Sequence, residues 1–157
     1  MSPKLRALFE EYEEVHRHPI NRLTHKIAIP IIVFHIVAML SWIPLGTWGG
    51  FHLNLAHLAY VATVIWYLSM SVKLGLVMAV LYALCFPLAA VASWQLVVGL
   101  AVVGWVIQLA GHAVWEKRSP AFFRNLVQAL VGPLYFVAIL LGDWPALQKA
   151  PQPERAA

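Results

Sequence analysis

The first part of the chain alternates apolar and acidic positions with the period of a helix. Ser2 and Pro3 are typical of a helix start, because serine caps the first turn and proline fits its first position. Apolar side chains then recur every three or four residues, and acidic ones fill the other face: Leu5, Leu8, Phe9, Tyr12 and Val15 against Glu10, Glu11, Glu13 and Glu14. This pattern predicts a short amphipathic helix that ends near residues 16–18, because Pro19 interrupts it.

From Ile27 onward, long apolar stretches replace the amphipathic pattern. Four stretches have the length of a membrane crossing, which takes about 20 helical residues, and they lie near 27–46, 51–70, 73–93 and 95–115. A fifth helical region at 120–142 carries polar residues in its first half, so crossing, tilting and bending back all stay open. The pattern predicts an all-α, multi-pass transmembrane bundle of 4–5 spans, preceded by the amphipathic helix.

The composition agrees with a membrane protein. Hydrophobic residues make up 61% of the chain and charged residues 11%, which excludes an ordinary soluble domain. We expect one membrane-embedded catalytic domain over residues 1–143 and a disordered tail, rich in Pro, Ala and Gln, over 144–157. The single cysteine, Cys85, excludes a disulfide framework and a thiolate zinc cluster.

The positive charge is placed beside the apolar spans. Although the net charge is +4, this placement favours anionic membrane lipid as the partner over nucleic acid. The basic residues precede the first span, follow the second and follow the fourth: Lys4, Arg6, Arg17, Arg22 and Lys26, then Lys73, then Lys117, Arg118 and Arg124. By the positive-inside rule the N-terminus, the 71–73 turn and the 116–124 loop face the cytoplasm.

This orientation predicts a multi-pass protein of a bacterial inner membrane or, in a eukaryote, of the endoplasmic reticulum. Residues 1–26 lack the short apolar core of a signal peptide, so we expect the first span to insert as part of the mature protein. The oligomeric state stays open at this point.

The predicted topology separates the seven histidines. Four fall at the cytoplasmic boundary: His16, His18, His25 and His112. For the other three we expect packing or interfacial roles, because they lie near the opposite boundary or about 15 Å along a helix from His25: His52, His57 and His35.

His25 and His112 have polar companions one helical turn away. Asn21 precedes His25, whereas Gln108 precedes His112 and Glu116 follows it. Such stacking suits metal ligands, since a metal-bound imidazole usually donates its other N–H to an oxygen. The alternative is that both are histidines at a membrane boundary whose hydrogen bonds are satisfied without a metal. Glu116 is also the only acidic residue between Glu14 and Asp143, and a carboxylate in apolar surroundings must be paired, ligated or close to water.

Imidazole and carboxylate ligands without sulfur permit Fe, Zn, Cu or Ni, and two histidines with one carboxylate mark non-haem iron oxygenases. The histidine boxes of membrane di-iron enzymes, a Ser-His-Asp arrangement and a phosphate-binding glycine loop are not visible in the sequence. Two other hypotheses for the function stay open. In one, two histidines are axial ligands of a haem in an electron-transfer protein. In the other, the chain binds lipid without catalysis, and His112 and Glu116 form a structural pair.

Two blocks of sequence resemble a known family. HRHPINRLTH at residues 16–25, which runs into Ile29 and Pro30, resembles the His…Pro-x-Asn-x-x-x-His signature of the 2-hydroxy fatty acid dioxygenases. GHAVWEKRSPA at 111–121, with NLVQ at 125–128, is similar to their second block. The likeness extends over roughly residues 12–140. Ala113 and Trp115 depart mildly from the family pattern, and His18 does not belong to it.

The resemblance implies a cofactor, a substrate and roles for residues. It implies an iron(II)- and dioxygen-dependent shortening of long-chain 2-hydroxy fatty acids by one carbon, in the breakdown of sphingoid bases. The iron ligands would be His16, His25 and His112. Supporting roles would fall to Asn21, Gln108, Glu116 and Lys117, with Glu116 either a fourth ligand or a hydrogen-bond acceptor. We further expect the substrate carboxylate to pair with Lys117, Arg118 or Arg22, with the alternative that these three residues only determine the topology.

Overall fold

The structure, a computed structural model, describes residues 1–145 of the chain. The described part contains seven α-helices, a two-stranded hairpin, one π-helix and one 3₁₀ turn. In chain order these are α1 (Pro3–Glu14), α2 (Pro19–Ser41), β1 (Pro44–Trp48), β2 (Phe51–Asn54), α3 (Leu55–Met70), α4 (Val72–Ala83), α5 (Cys85–Val91), α6 (Trp94–Ala110), the π-helix (Gly111–Glu116), the 3₁₀ turn (Ala121–Phe123) and α7 (Gln128–Leu140). Residues 146–157, most of the expected tail, lie outside the described residues.

The predicted amphipathic helix is confirmed as α1. The Ser2 hydroxyl accepts a hydrogen bond from the Leu5 N–H at 3.1 Å and caps the helix. The apolar stripe is buried against α7, where Phe9 meets Tyr135 edge to face at 5.4 Å between ring centroids. Trp144 packs on the same ring at 5.2 Å. Helix α1 is therefore fixed to the bundle by its aromatic residues.

The multi-pass helical architecture is also confirmed. Within residues 1–145, three helical segments are long and apolar enough to cross a membrane: Pro19–Ser41, Val72–Val91 and Trp94–Glu116. Helices α3 and α7 are apolar but have only 16 and 13 residues. At 1.5 Å per residue these helices reach about 24 and 20 Å, less than the roughly 30 Å of a hydrocarbon core.

The first span is displaced from its predicted position of 27–46. It begins at Pro19 and ends at Ser41, because Pro19 opens a new helix instead of only ending the old one. The residues after Ser41 form the hairpin, which closes at Gly49 and Gly50. Both glycines have positive φ, at 54° and 85°, as the tight turn of a hairpin requires.

Several contacts gather distant segments at one end of the bundle. The Ser2 N–H donates to the Met70 carbonyl at 2.8 Å, which joins the N-terminus to the turn between α3 and α4. In the same region Lys73 pairs with Asp143 at 2.8 Å. The loop after the π-helix contacts the other end of α1, where Arg118 donates to the Glu14 carbonyl. Helix α1 thus connects the three basic segments along one end of the fold, and this end carries the candidate site.

Candidate metal centre

Three buried histidines from three different elements meet at this end. His16 lies in the loop between α1 and α2, His25 in the second turn of α2, and His112 at the start of the π-helix. His16, His25 and His112 are 2%, 0% and 2% exposed. Their ligand nitrogens lie within 4.8 Å of one another, and the group is able to hold a metal ion. The structure thus brings together the three residues expected as metal ligands.

The three rings are arranged like the blades of a propeller. Ring centroids are 4.6, 4.7 and 4.8 Å apart, and the ring planes cross at 76–80°. The Nε2 atom of His25 lies 3.1 Å from Nε2 of His16 and 3.0 Å from Nε2 of His112. These distances are too short for a porphyrin between two axial ligands, whose nitrogens would be about 4 Å apart at usual metal–nitrogen lengths. The haem alternative therefore fits neither the His16–His25 pair nor the His25–His112 pair.

Backbone carbonyls fix the protonation of two of the rings. Nδ1 of His16 hydrogen-bonds to the Tyr12 carbonyl, and Nδ1 of His25 to the Asn21 carbonyl at 2.7 Å. A carbonyl oxygen only accepts, so each Nδ1 must carry the proton and each Nε2 must present a lone pair. Burial also lowers the pKa of His16 well below its usual value, which keeps this ring neutral. Two lone pairs that face each other at 3.1 Å repel, and a cation bound between them would remove this repulsion.

The π-helix determines what surrounds His112. Gln108, His112 and Glu116 would share one face of a regular α-helix, as the sequence suggested. Instead the chain widens into a π-turn over Gly111–Glu116 and ends at Lys117 in the left-handed conformation, with φ 54°. Such turns inside helices occur frequently at functional sites. The spacing of residues in the sequence did not predict this π-turn.

Glu116 binds the loop that carries His16. Its Oε1 accepts from the Arg17 N–H at 3.0 Å, and its Oε2 from the His18 N–H at 2.9 Å and the Asn21 side-chain amide at 3.1 Å. Both carboxylate oxygens are thus occupied by N–H donors. Of the two roles left open for Glu116, the geometry favours the hydrogen-bond acceptor that fastens one ligand-bearing segment to another.

Asn21 serves the site twice, through its carbonyl to His25 and through its amide to Glu116. Gln108 is 7% exposed and lines a cavity beside the histidines. Arg118 donates from Nη1 to the Glu14 carbonyl at 3.1 Å, so it ties the loop after the π-helix to α1. Lys117 and Arg118 are not among the described residues that line the cavity.

The remaining histidines have local partners. His18 caps α2, since its Nδ1 accepts from the Ile20 N–H at 3.2 Å. His57 shares a capping box with Asn54 at the start of α3. His35 hydrogen-bonds to the Ile31 carbonyl, and His52 to Thr47. These contacts agree with the packing and interfacial roles expected for His35, His52 and His57.

Gly111 is a further site residue that the spacing of polar residues did not reveal. A Cβ at this position would lie 2.5 Å from Oδ1 of Asn21 and would also overlap Oγ1 of Thr24. Only glycine lets the π-helix approach α2 closely enough for His112 to reach His25. In the sequence it is visible only as the glycine directly before the histidine.

An apolar cavity of about 190 Å³ opens beside the cluster. His16 and His112 line one end, and side chains of α2 from Ile29 to Leu40 line its length, about 16 Å at the rise of an α-helix. The facing wall is made by α3, with the small side chains Ala56, Ala59 and Thr63 among its lining residues. The cavity therefore has a histidine end and a long apolar end.

Comparisons with known proteins show the family of this chain. A family model described as 2-hydroxy-palmitic acid dioxygenase Mpo1-like matches residues 3–144. A protein of Saccharomyces cerevisiae named 2-hydroxy-palmitic acid dioxygenase MPO1 is 31% identical over 133 residues, which cover 85% of this chain and 76% of the yeast protein. No solved structure matches. The chain belongs to the Mpo1-like family of 2-hydroxy-palmitic acid dioxygenases.

Proposed function

We propose that this chain is an iron(II)-dependent dioxygenase that shortens long-chain 2-hydroxy fatty acids by one carbon. The convergence of three buried Nε2 atoms carries the proposal, since two of them are fixed as acceptors whose repulsion a bound cation would remove. The name of the yeast relative, which is a 2-hydroxy-palmitic acid dioxygenase, supplies the substrate class.

The donor set suits a site with open positions. At a metal–nitrogen distance of about 2.1 Å, perpendicular bonds separate two nitrogens by about 3.0 Å and tetrahedral bonds by about 3.4 Å. The observed 3.0 and 3.1 Å match the perpendicular case. His16, His25 and His112 would hold the ion. This set differs from the two histidines and one carboxylate typical of non-haem iron oxygenases, because N–H donors occupy both oxygens of Glu116. Iron(II), when bound, supplies the electrons that activate dioxygen.

The overall reaction is balanced by one dioxygen. The C1–C2 bond of the 2-hydroxy acid breaks, C1 leaves as carbon dioxide, and C2 becomes the new carboxyl carbon. The products are a fatty acid one carbon shorter, carbon dioxide and water, so the substrate is oxidised by four electrons and dioxygen is reduced by the same four.

The chain itself positions the substrate. The apolar cavity takes the acyl tail along α2, and its histidine end takes the polar head. Apolar walls exclude water from the reacting carbons, while Glu116 and Asn21 hold the ligand-bearing segments together. Of the three basic residues expected to pair with the carboxylate, Lys117 and Arg118 are not among the described residues that line the cavity, whereas the charge of Arg22 acts on both His16 and Tyr12.

The orientation belongs to the proposal as well. The basic residues of the N-terminus, the 71–73 turn and the 116–124 loop support an orientation in which the histidine end lies at the cytoplasmic face of the membrane. The protein would then meet acidic lipids in the cytoplasmic leaflet, either of a bacterial inner membrane or of the endoplasmic reticulum.

The test is an aerobic assay on detergent-purified protein with 2-hydroxyhexadecanoic acid. We expect a fifteen-carbon acid as the product, loss of turnover after chelation, and recovery with iron(II) but not with zinc(II). His112→Ala should abolish turnover, whereas His18→Ala, a neighbouring histidine that caps α2, should retain most of it. Absence of the shortened acid from folded, iron-loaded wild type would refute the proposal.

A further inference from the structure

Three side chains that line the cavity carry buried oxygens without a hydrogen-bond partner among the described residues. They are the hydroxyl of Tyr12 and the amide oxygens of Gln108 and Gln128. All three residues are more than nine-tenths buried, at 3%, 7% and 2% exposure. Native proteins rarely leave buried polar atoms unpaired, and three such oxygens in one cavity indicate that a ligand supplies the partners.

The three residues lie at the histidine end. The Tyr12 ring stacks on the His16 ring, with centroids 3.7 Å apart and planes 11° from parallel. Gln108 precedes His112 by one helical turn, about 6 Å along α6. Gln128 opens α7, and its side-chain N–H donates to the Leu8 carbonyl at 3.3 Å. This bond fixes the orientation of the amide and leaves its oxygen as the free acceptor.

We propose that Tyr12, Gln108 and Gln128 form a polar subsite that binds the 2-hydroxyl and the carboxyl group of the substrate and selects 2-hydroxy acids over unsubstituted fatty acids. The inference rests on the proposed function and names the residues that recognise its substrate.

The donors and acceptors of this polar subsite match the head of a 2-hydroxy acid. The 2-hydroxyl donates its proton to the amide oxygen of Gln128, and the Tyr12 hydroxyl donates to a carboxyl oxygen. Gln108 carries both a donor and an acceptor on one rotatable amide and completes either contact. An acid without the hydroxyl leaves the Gln128 oxygen unpaired. Sites built to bond a hydroxyl reject analogues that lack it for this reason.

The test measures binding without turnover. Iron(II)-loaded protein, kept free of oxygen, is titrated with radiolabelled 2-hydroxyhexadecanoic acid and with hexadecanoic acid. We expect the wild type to bind the hydroxy acid more tightly by about tenfold or more, as one buried hydrogen bond predicts. In Gln128→Leu the ratio of the two affinities should fall close to one, because only the hydroxy acid is bound more weakly.

Two further variants sharpen the result. Gln95→Leu, at an exposed position near the start of α6, should keep the wild-type ratio. Tyr12→Phe, which removes the hydroxyl and retains a ring to stack on His16, should weaken both acids and leave their ratio unchanged. It also keeps the proposal testable should Gln128→Leu fail to fold.

The inference is overturned if Gln128→Leu keeps the wild-type preference for the hydroxy acid. It is also overturned if the variant loses affinity for both acids equally while its iron content is normal. It is also overturned if Tyr12→Phe binds both acids as wild type does. The proposed function fails separately, when iron-loaded wild type binds the acids but forms no shortened product in air.

Discussion

At the scale of single residues, the candidate site is prepared by local hydrogen bonds. His16 and His25 each bond to the carbonyl four positions earlier in the chain, that of Tyr12 and that of Asn21. The short-range structure alone therefore fixes the Nδ1 protons and turns both Nε2 lone pairs toward the centre. This is the arrangement of a metal-binding imidazole, and both rings take it through the backbone of their own segment.

Glu116→Gln tests the role of the carboxylate. Three N–H donors converge on its two oxygens, and an amide would oppose at least one of them with a further donor. We expect a loss of about 1–3 kcal/mol in stability, seen as a lower unfolding midpoint, with iron retained. Glu10→Gln, on the exposed face of α1, is the control. Loss of iron at an unchanged midpoint would show that Glu116 is a ligand.

The sequence could indicate these residues but not all of their partners. Spacing placed Gln108, His112 and Glu116 on one helical face and left Glu116 either a ligand or an acceptor. The donors that favour the acceptor role come from Arg17, His18 and Asn21, which are 95 to 99 positions away along the chain. No local pattern encodes a contact at that separation, so only the folded structure distinguishes the two roles.

At the scale of elements, apolar periodicity predicted the helices better than their ends. The amphipathic α1 and the long apolar spans follow from the sequence, because burial of apolar side chains governs both. Two boundaries did not follow. Pro19 opens α2 eight residues before the predicted span, and Gly49-Gly50 closes a hairpin that the apolar pattern did not show. Both depend on backbone geometry at single residues.

Gly111→Ala tests the close approach of the π-helix to α2. The new methyl group would overlap Asn21 and Thr24, and overpacking of this kind costs about 1–3 kcal/mol. Because the strain falls between His25 and His112, we expect weaker iron retention during dialysis together with a lower unfolding midpoint. Gly99→Ala, on α6 with nothing within 4 Å of the added carbon, should behave as wild type. Equal behaviour of the two variants would contradict this role of Gly111.

Ala59→Phe tests whether the cavity takes the acyl tail. Ala59 lines the wall that α3 contributes, so a phenyl ring there should shorten the available space. In a competition assay with 2-hydroxy acids of several lengths, we expect the preferred chain to become shorter while iron content is unchanged. Leu58→Phe, at a position 58% exposed on the same helix, should not alter the preference. An unchanged length profile in Ala59→Phe would place the tail elsewhere.

At the scale of the whole molecule, the fold brings charge, ligands and cavity to one end. The N-terminus, the turn between α3 and α4, and the loop after the π-helix are joined there by Ser2–Met70, Lys73–Asp143 and Arg118–Glu14 contacts. The histidines lie at this end, and the apolar cavity extends from them along α2. In the proposed function, a lipid of the adjoining leaflet presents its head to the three histidines and keeps its tail in apolar surroundings.

The central claim is that His16, His25 and His112 together hold iron, and metal analysis tests it most directly. Detergent-purified protein, reconstituted with iron(II) without oxygen and then desalted, should retain iron in proportion to protein. His25→Ala should lose it, while His35→Ala, whose ring bonds to the Ile31 carbonyl, should keep it. Folded wild type without bound metal, or His25→Ala with full iron, would contradict the account.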